Sequence, residues 1–219
     1  MSVEFIGLPG VGKSTILSRM KSICKKENLN LKYDQNKIKP KCNLYMVLFF
    51  IRFFIGYPKS VVFIPTSFRW LIIKLAYRYC LFASSNSNTQ RNLPNNTDGI
   101  LMPIITYIVQ RNPDNTSFNL SKVLDILPKP DVLIVVTANI ETIVKRYSER
   151  GGLLSTDGLS RESVMVDSTL YNKFSSGSDV IEKIIDLMQK KRVKVLKVDN
   201  NQYLDNDKLK QIIQRIEND

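Results

Sequence analysis

The feature that most restricts the fold of this chain is a glycine-rich segment near the N-terminus that matches the pattern GxxxxGK[ST] in full. Glycines permit backbone conformations in which successive N–H groups point at one anion. A short apolar strand at Val3–Ile6 precedes the segment, and a helical pattern from Lys13 to about Lys26 follows it. This context predicts a phosphate-binding loop, and its nucleotide-contacting residues are Gly7, Leu8, Pro9, Gly10, Val11, Gly12, Lys13, Ser14 and Thr15.

The last residues of this loop carry the polar side chains. Lys13 places a positive charge near the β- and γ-phosphates of a bound nucleotide, and the Ser14 hydroxyl completes a magnesium site. The N-terminus of the following helix adds a favourable dipole. The expected ligands are therefore ATP or GTP together with Mg²⁺.

Strand and helix patterns alternate along the chain, as in parallel α/β proteins. The clearest buried strand is the β-branched run Pro130–Val136, and a helix follows it from about Glu141 to Arg150. Further elements are predicted at Leu29–Tyr33, Ile100–Gln110, Val180–Lys191, Val193–Val198 and Asp207–Glu217. We expect an α/β, three-layer P-loop NTPase fold with a roughly five-stranded parallel sheet, formed by residues 1–219 as a single domain.

Composition excludes several classes of function. The chain has no histidine, which rules out His-based acid–base catalysis and His-ligated metal sites. The net charge of +12 indicates a polyanionic partner, but no zinc module, aromatic–basic repeat or recognition-helix pattern favours nucleic acid. Three cysteines without CxxC spacing, and an N-terminus without a signal-peptide pattern, lead us to expect a cytoplasmic protein.

The stretch from Leu44 to Tyr57 is unusually apolar and is interrupted by Arg52. It is too short and too interrupted to predict a membrane span, which needs about 20 apolar residues; a buried or interfacial helix is the expectation. A second helical pattern at Phe68–Ala83 mixes aromatic and basic side chains. Together they predict a helical insertion at about 40–97 on the acceptor side. Whether the apolar stretch is core, a homodimer interface or a peripheral membrane contact stays open.

A phosphate loop alone does not define a reaction, because GTPases, ATPases and small-molecule kinases share it. The segment Gly7–Thr15 resembles the opening of the nucleoside and nucleotide kinases. Residues 130–151 resemble the strand–helix–lid passage of the thymidylate kinase-like group. The resemblance covers the first 25 residues and about 130–175. It implies a kinase that transfers the γ-phosphoryl group of Mg-ATP to a nucleotide-like acceptor, with a lid at about 146–165.

The resemblance also assigns roles to charged residues outside the loop. Arg146 and Arg150 are four residues apart and so share a helix face, and the resemblance implies that they reach the transferring phosphate. Arg161 lies in the polar segment that would close over the nucleotide. Asp34, at the end of the second strand, would accept the proton of the acceptor hydroxyl, and Asp98 would lie near magnesium.

The sequence lacks the motifs that are typical of rival classes of nucleotide-binding protein. A regulatory GTPase needs a guanine-reading NKxD motif after a late strand, and Thr137–Ile140 does not provide it. No apolar run ends in Asp-Glu, as it does in mechanical ATPases. Two alternatives stay open: a kinase of a sugar, glycan or lipid-linked acceptor, and a non-catalytic nucleotide-binding partner of a membrane complex.

Overall fold

The structure, a computed structural model, describes residues 1–27, 32–33, 42–56, 66–85, 92–94, 99–111, 119–149, 168–202 and 204–217. Its elements in chain order are β1 (Val3–Ile6), α1 (Lys13–Glu27), β2 (Lys32–Tyr33), α2 (Cys42–Gly56), α3 (Thr66–Ser85), β3 (Asn92–Leu93), α4 (Met102–Arg111), α5 (Leu120–Ile126), β4 (Val132–Thr137), α6 (Ile140–Glu149), α7 (Ser168–Lys190), β5 (Lys194–Asp199) and α8 (Asn206–Glu217).

The central sheet is parallel and has the strand order β1-β4-β5. Ile6 is in register with Val135, and Thr137 is in register with Asp199. The carboxyl ends of the three strands therefore lie at one edge of the sheet. In open parallel sheets this edge is where ligands bind. β1 is buried along its whole length and β4 along all but its last residue, as expected for strands covered on both faces.

The prediction of one five-stranded sheet is wrong for the described residues. β2 and β3 pair with each other in parallel, as a separate two-stranded sheet. Each is only two residues long, so their ladder is much shorter than the six-residue ladder between β4 and β5. The sequence also predicted a loop from Ser84 to Thr97, and β3 interrupts that stretch.

The predicted helix after the loop is confirmed as α1, and its apolar stripe Ile16, Met20, Ile23 and Cys24 is buried. α1 packs against α8, whereas α7 packs against α4, α6 and β5. α4 was predicted at Ile100–Gln110, with Pro103 acceptable only in the first turn; it begins at Met102, which puts the proline in that turn.

One buried carboxylate lies in β1, in a strand whose sequence was interpreted as apolar. The side chain of Glu4 is fully enclosed, and its Oε1 accepts a hydrogen bond from the Leu101 N–H at 2.6 Å. Its Oε2 has no hydrogen-bond partner within the described residues. Burial raises the pKa of Glu4 to about 8, although the bond from Leu101 and the charge of Arg78 oppose the shift.

The two predicted helices of the insertion are confirmed as α2 and α3, which pack against each other and are called here the α2–α3 pair. The rings of Phe49 and Tyr79 lie 5.5 Å apart, and the Arg52 guanidinium donates a hydrogen bond to the Tyr79 hydroxyl at 3.1 Å. Among the described helices, none is both long enough and apolar enough to cross a membrane.

Candidate phosphate-binding site

The loop from Gly7 to Gly12 crosses the carboxyl edge of the sheet between β1 and α1. Gly7, Gly10 and Gly12 have φ angles of 151°, 83° and 95°, which side-chain-bearing residues rarely adopt. A Cβ on Gly7 would also collide with the Val136 carbonyl oxygen at the end of β4. The loop therefore runs so close to the sheet that glycine is required there.

Lys13 begins α1, and its side chain is buried. Its Nζ donates hydrogen bonds to the carbonyl oxygens of Gly7 and Leu8, at 2.7 and 2.9 Å. These bonds hold an ammonium group against the loop at the positive end of the α1 dipole. An anion bound to the loop amides would lie beside this charge.

Helix α6 brings a second cation to the same loop. A Cβ placed on Gly10 would lie 3.1 Å from the Ile143 carbonyl oxygen and 3.6 Å from Tyr147 Cβ, so the loop is packed directly on α6. Arg146 lies on this helix, and its Nη1 is 3.9 Å from a Cβ placed on Gly12. That nitrogen is buried and has no hydrogen-bond partner within the described residues.

A buried donor without an acceptor is costly, on the order of 1–3 kcal/mol and more for a charged group. An oxyanion at the loop would supply the acceptor that Arg146 lacks, together with an opposite charge. The buried Arg146 nitrogen is therefore the strongest indication in the structure that a phosphate group binds at the loop. The position of α6 is supported by a contact between the rings of Tyr147 and Phe174 in α7, whose centroids lie 5.6 Å apart.

Asn200, directly after β5, is a site residue that the sequence did not reveal. Its Nδ2 donates to the Val11 carbonyl oxygen at 2.7 Å, and its N–H donates to the Thr137 carbonyl oxygen at 2.8 Å. A Cβ on Gly12 would collide with the Asn200 amide. The side chain thus joins the phosphate loop to the ends of β4 and β5. Its position after a predicted strand was a signal, but 189 residues separate it from its partner.

The loop residues named from the sequence lie together, whereas the more distant candidates do not all fall in the described chain. Ser14 and Thr15 are exposed in the first turn of α1. Asp34, Asp98, Arg150 and Arg161 lie outside the described residues, so the structure does not place them. Within the parts of the chain that are described, no group of three or more Cys, Asp or Glu residues is arranged to hold a metal ion.

Mg²⁺ is compatible with this limited ligand set. It keeps several waters and binds mainly to substrate phosphates, with one or two protein ligands. The exposed Ser14 hydroxyl, one residue after the buried Lys13, is a suitable single ligand.

Comparisons with known proteins give a likeness in structure but none in sequence. No protein-family model matches the chain, and no curated protein matches it. A structure of deoxyadenosine kinase from M. mycoides with bound dATP matches it with 18% sequence identity and a TM-score of 0.53, over 100% of both chains. The same kinase with the products dCMP and a flexible dCDP bound matches it with 18% identity and a TM-score of 0.52, over 100% of this chain and 99% of the other.

At this level of identity the likeness establishes the fold, which spans the full length of both chains. The predicted α/β fold is confirmed in this coarse form: helices with a parallel sheet, and a glycine-rich loop between the first strand and the first helix. The boundaries predicted for the helical insertion and for the lid stay predictions.

Proposed function

We propose that this chain is a phosphotransferase that moves the γ-phosphoryl group of ATP to a nucleoside- or nucleotide-like acceptor. The observation that carries the proposal is the meeting of the phosphate loop, Lys13 and the buried Arg146 nitrogen at the carboxyl edge of a parallel sheet. The shared fold with a deoxyadenosine kinase supports this choice of acceptor.

In the proposed reaction the loop holds the β- and γ-phosphates of the donor. The positive-φ glycines turn backbone N–H groups towards one anion, and Lys13 adds a charge at the start of α1. Asn200 holds the Val11 carbonyl and so fixes the loop against the sheet. These contacts within the protein restrict the conformations of the loop, which limits the free energy that binding would spend on ordering it.

Arg146 has a different role in the proposal. Phosphoryl transfer requires little covalent chemistry from a protein, and positive groups near the transferring phosphoryl group stabilise the transition state. Arg146 approaches the loop at Gly12, beside the lysine and serine that hold the terminal phosphates. Arg150, on the same predicted helix face, and the proposed lid at 146–165 would add further positive charge.

The remaining roles rest on sequence alone. When bound at Ser14, Mg²⁺ would neutralise negative charge on the phosphates of the donor. We assign Asp98 to the same magnesium site and Asp34 to the proton of the acceptor hydroxyl. The helical insertion at about 40–97 would lie on the acceptor side. We propose that the enzyme works in the cytoplasm.

One observation favours a second acceptor class. Large apolar side chains of α2 are exposed, and they lie within the insertion assigned to the acceptor. A nucleoside needs polar partners for its base and sugar, whereas a lipid-linked acceptor would use an apolar surface. A lipid-linked sugar or glycan is therefore the alternative substrate class.

Magnesium-dependent ADP release, measured with a panel of nucleosides, nucleotides, sugars and a short-chain lipid-linked sugar, tests the proposal. Arg146→Ala is expected to lower kcat by about 100-fold or more, because it removes a charge used in the transition state. ATP affinity should fall as well, since Arg146 also faces the bound phosphate, but by much less than kcat. The matched control is Lys145→Ala, which removes an exposed cation from the adjacent position of α6.

Three results would count against the proposal. If no acceptor stimulates ADP release while ATP binds, the chain is a nucleotide-binding partner and not a kinase. If only the lipid-linked sugar is phosphorylated, the acceptor class is wrong. Equal turnover of the Arg146→Ala and Lys145→Ala variants would remove Arg146 from the mechanism.

A further inference from the structure

Helix α2 is apolar on the side that faces the protein and on the side that faces water. Phe49 and Phe53 are buried against the core. A second set of apolar side chains recurs at helical spacing on the exposed side, over about 17 Å of the helix, and consists of Leu44, Val47, Leu48, Ile51, Phe54 and Ile55. Leu44 and Ile55, at its two ends, are 66% and 75% exposed. A helix that is apolar all round belongs in a core or against an apolar environment.

Helix α3 repeats this arrangement beside it. Leu71, Leu75 and the other buried residues face the core, while Trp70, Ile73 and Tyr77 are spaced by three and four residues and are each more than half exposed. The α2–α3 pair therefore presents two apolar stripes to the solvent. Exposed apolar patches of this extent mark interaction sites in soluble proteins.

The charge of the sequence that contains α2 and α3 indicates what kind of surface covers these stripes. Between Asp34 and Asp98 the sequence contains no Asp or Glu, but it contains nine basic residues: Lys37, Lys39, Lys41, Arg52, Lys59, Arg69, Lys74, Arg78 and Arg91. The net charge of the whole chain is +12, so this segment accounts for most of the excess. Large aliphatic and aromatic side chains among exclusively basic ones fit an anionic lipid surface.

We infer that the α2–α3 pair docks on the surface of an anionic lipid bilayer, with its exposed apolar side chains at the headgroup boundary. Charge disfavours a second copy of the chain as the occupant. A symmetric dimer through this face would bring Arg52, Arg69 and Lys74 of both copies together, with no acidic residue of α2 or α3 to pair with them.

The chemistry of the stripe also disfavours an acidic protein partner. Protein interfaces carry about one hydrogen bond per 100–200 Å². Among residues 44–55 of α2, whose exposure is described, Arg52 is the one exposed polar side chain. A lipid surface requires no such bonds. The exposed Trp70 and Tyr77 on α3 are residue types enriched at membrane–water interfaces.

The inference is tested by co-sedimentation of the full chain with vesicles. Wild-type protein should pellet with phosphatidylcholine vesicles that contain phosphatidylglycerol, bind neutral phosphatidylcholine vesicles far less, and be released by salt. The variant Leu44→Gln/Ile51→Gln/Ile55→Gln should lose at least about tenfold in partition, because it removes three exposed apolar side chains. Tyr171→Gln, which changes an exposed aromatic residue of α7, is the matched control and should bind like wild type.

Charge is tested separately. Lys74→Gln on α3 should weaken partition into the anionic vesicles by about fivefold, and Lys183→Gln on α7 should not. All of these side chains are exposed, so circular dichroism and thermal melting should report folded proteins. Wild-type protein that stays in the supernatant with anionic vesicles overturns the inference, as does equal binding by the triple variant. A dimer that the triple variant disrupts, without vesicle binding, would assign the face to a second copy.

Discussion

The phosphate loop and the α2–α3 pair differ in what fixes their residues. In the loop, individual atoms set the geometry: Gly7 lies against the Val136 carbonyl, Lys13 bonds to two loop carbonyls, and Asn200 bonds to Val11. In the pair, the contacts described are mainly between apolar side chains, such as the rings of Phe49 and Tyr79. Polar and steric contacts specify residue types one by one, whereas apolar packing accepts many sequences of similar volume.

This difference decides what each region reveals about function. The glycines, the lysine and the serine of the loop each have a physical reason to occupy their positions. The ligand of the loop can therefore be predicted from sequence alone. A pair of apolar helices predicts burial but not the partner that completes it. The ligand of the loop is therefore predicted from the chemistry of its residues, and the partner of the pair has to be inferred from exposure and charge. Three changes to the chain test this contrast.

Glu4 connects the two regions, because it lies in the strand before the loop and its charge interacts with Arg78 of α3. Its native pKa is about 8, against 4.5 in an exposed site, so the native state binds a proton more tightly than the unfolded state. The stability that the proton provides is complete below pH 4.5 and is lost as pH rises through 8. Relative to Glu4→Gln, wild type should lose up to roughly 4 kcal/mol of unfolding free energy between pH 5 and pH 9.

Urea unfolding at several pH values measures this difference. Glutamine keeps the acceptor for Leu101 N–H without a titrating group, so the variant should not show the decline. Glu182→Gln, in which an exposed carboxylate of α7 is replaced, is the control and should follow wild type. Parallel pH profiles for wild type and Glu4→Gln would show that Glu4 is ionised at neutral pH despite its burial.

Lys13→Ala tests the loop itself. Removal of the ammonium group should raise the Kd for ATP by roughly 100-fold, because it removes charge-assisted bonds to the phosphates. The fold should persist, since the alanine favours the first turn of α1. Calorimetric titration measures the affinity, with Lys25→Ala at the exposed end of the same helix as the control. Unchanged ATP affinity in Lys13→Ala would refute the phosphate site.

The elements that sequence predicted well are those with a strong local pattern. The predicted boundaries of β4, α6, β5 and α8 agree with the structure to within about two residues. Each combines a regular apolar period with clear limits, such as Pro130 before β4. β2 lies within the strand predicted at Leu29–Tyr33, but β3 lies in a stretch that was predicted as a loop. The pairing of β2 with β3 in a separate sheet could therefore not be predicted.

The sequence patterns missed helix α5 and predicted helix α7 too short, in each case because of a local feature. α5 has only seven residues, although Asn119 caps it by accepting a bond from the Lys122 N–H, and an Asn before an apolar run is a recognisable signal. α7 begins at Ser168, twelve residues before the predicted start at Val180. The interior Gly177 weakened the prediction, because glycine costs up to about 1 kcal/mol within a helix. It is buried there, one turn after Phe174, which packs on Tyr147.

Asn200 is a site residue that local sequence patterns cannot predict. Of the three substitutions, its replacement is expected to have the smallest effect. Asn200→Ala removes the bond to the Val11 carbonyl and leaves the loop less firmly positioned, which should raise the Kd for ATP by about fivefold. Asn200→Asp keeps the shape but replaces the donor with a negative charge beside Gly12, so its ATP affinity should fall further than that of the alanine variant. Asn172→Ala, on the exposed side of α7, is the control.

The salt dependence of these affinities separates positioning from simple packing. If Asn200 only fills space, the aspartate variant differs from wild type in its charge alone, and high salt should restore its ATP affinity. If Asn200 positions the loop through its amide, the aspartate variant should still bind ATP more weakly than wild type at high salt, because it lacks the bond to Val11. Because the contact joins the ends of the chain across the sheet edge, the result also measures how far the loop depends on tertiary structure, beyond its own glycines.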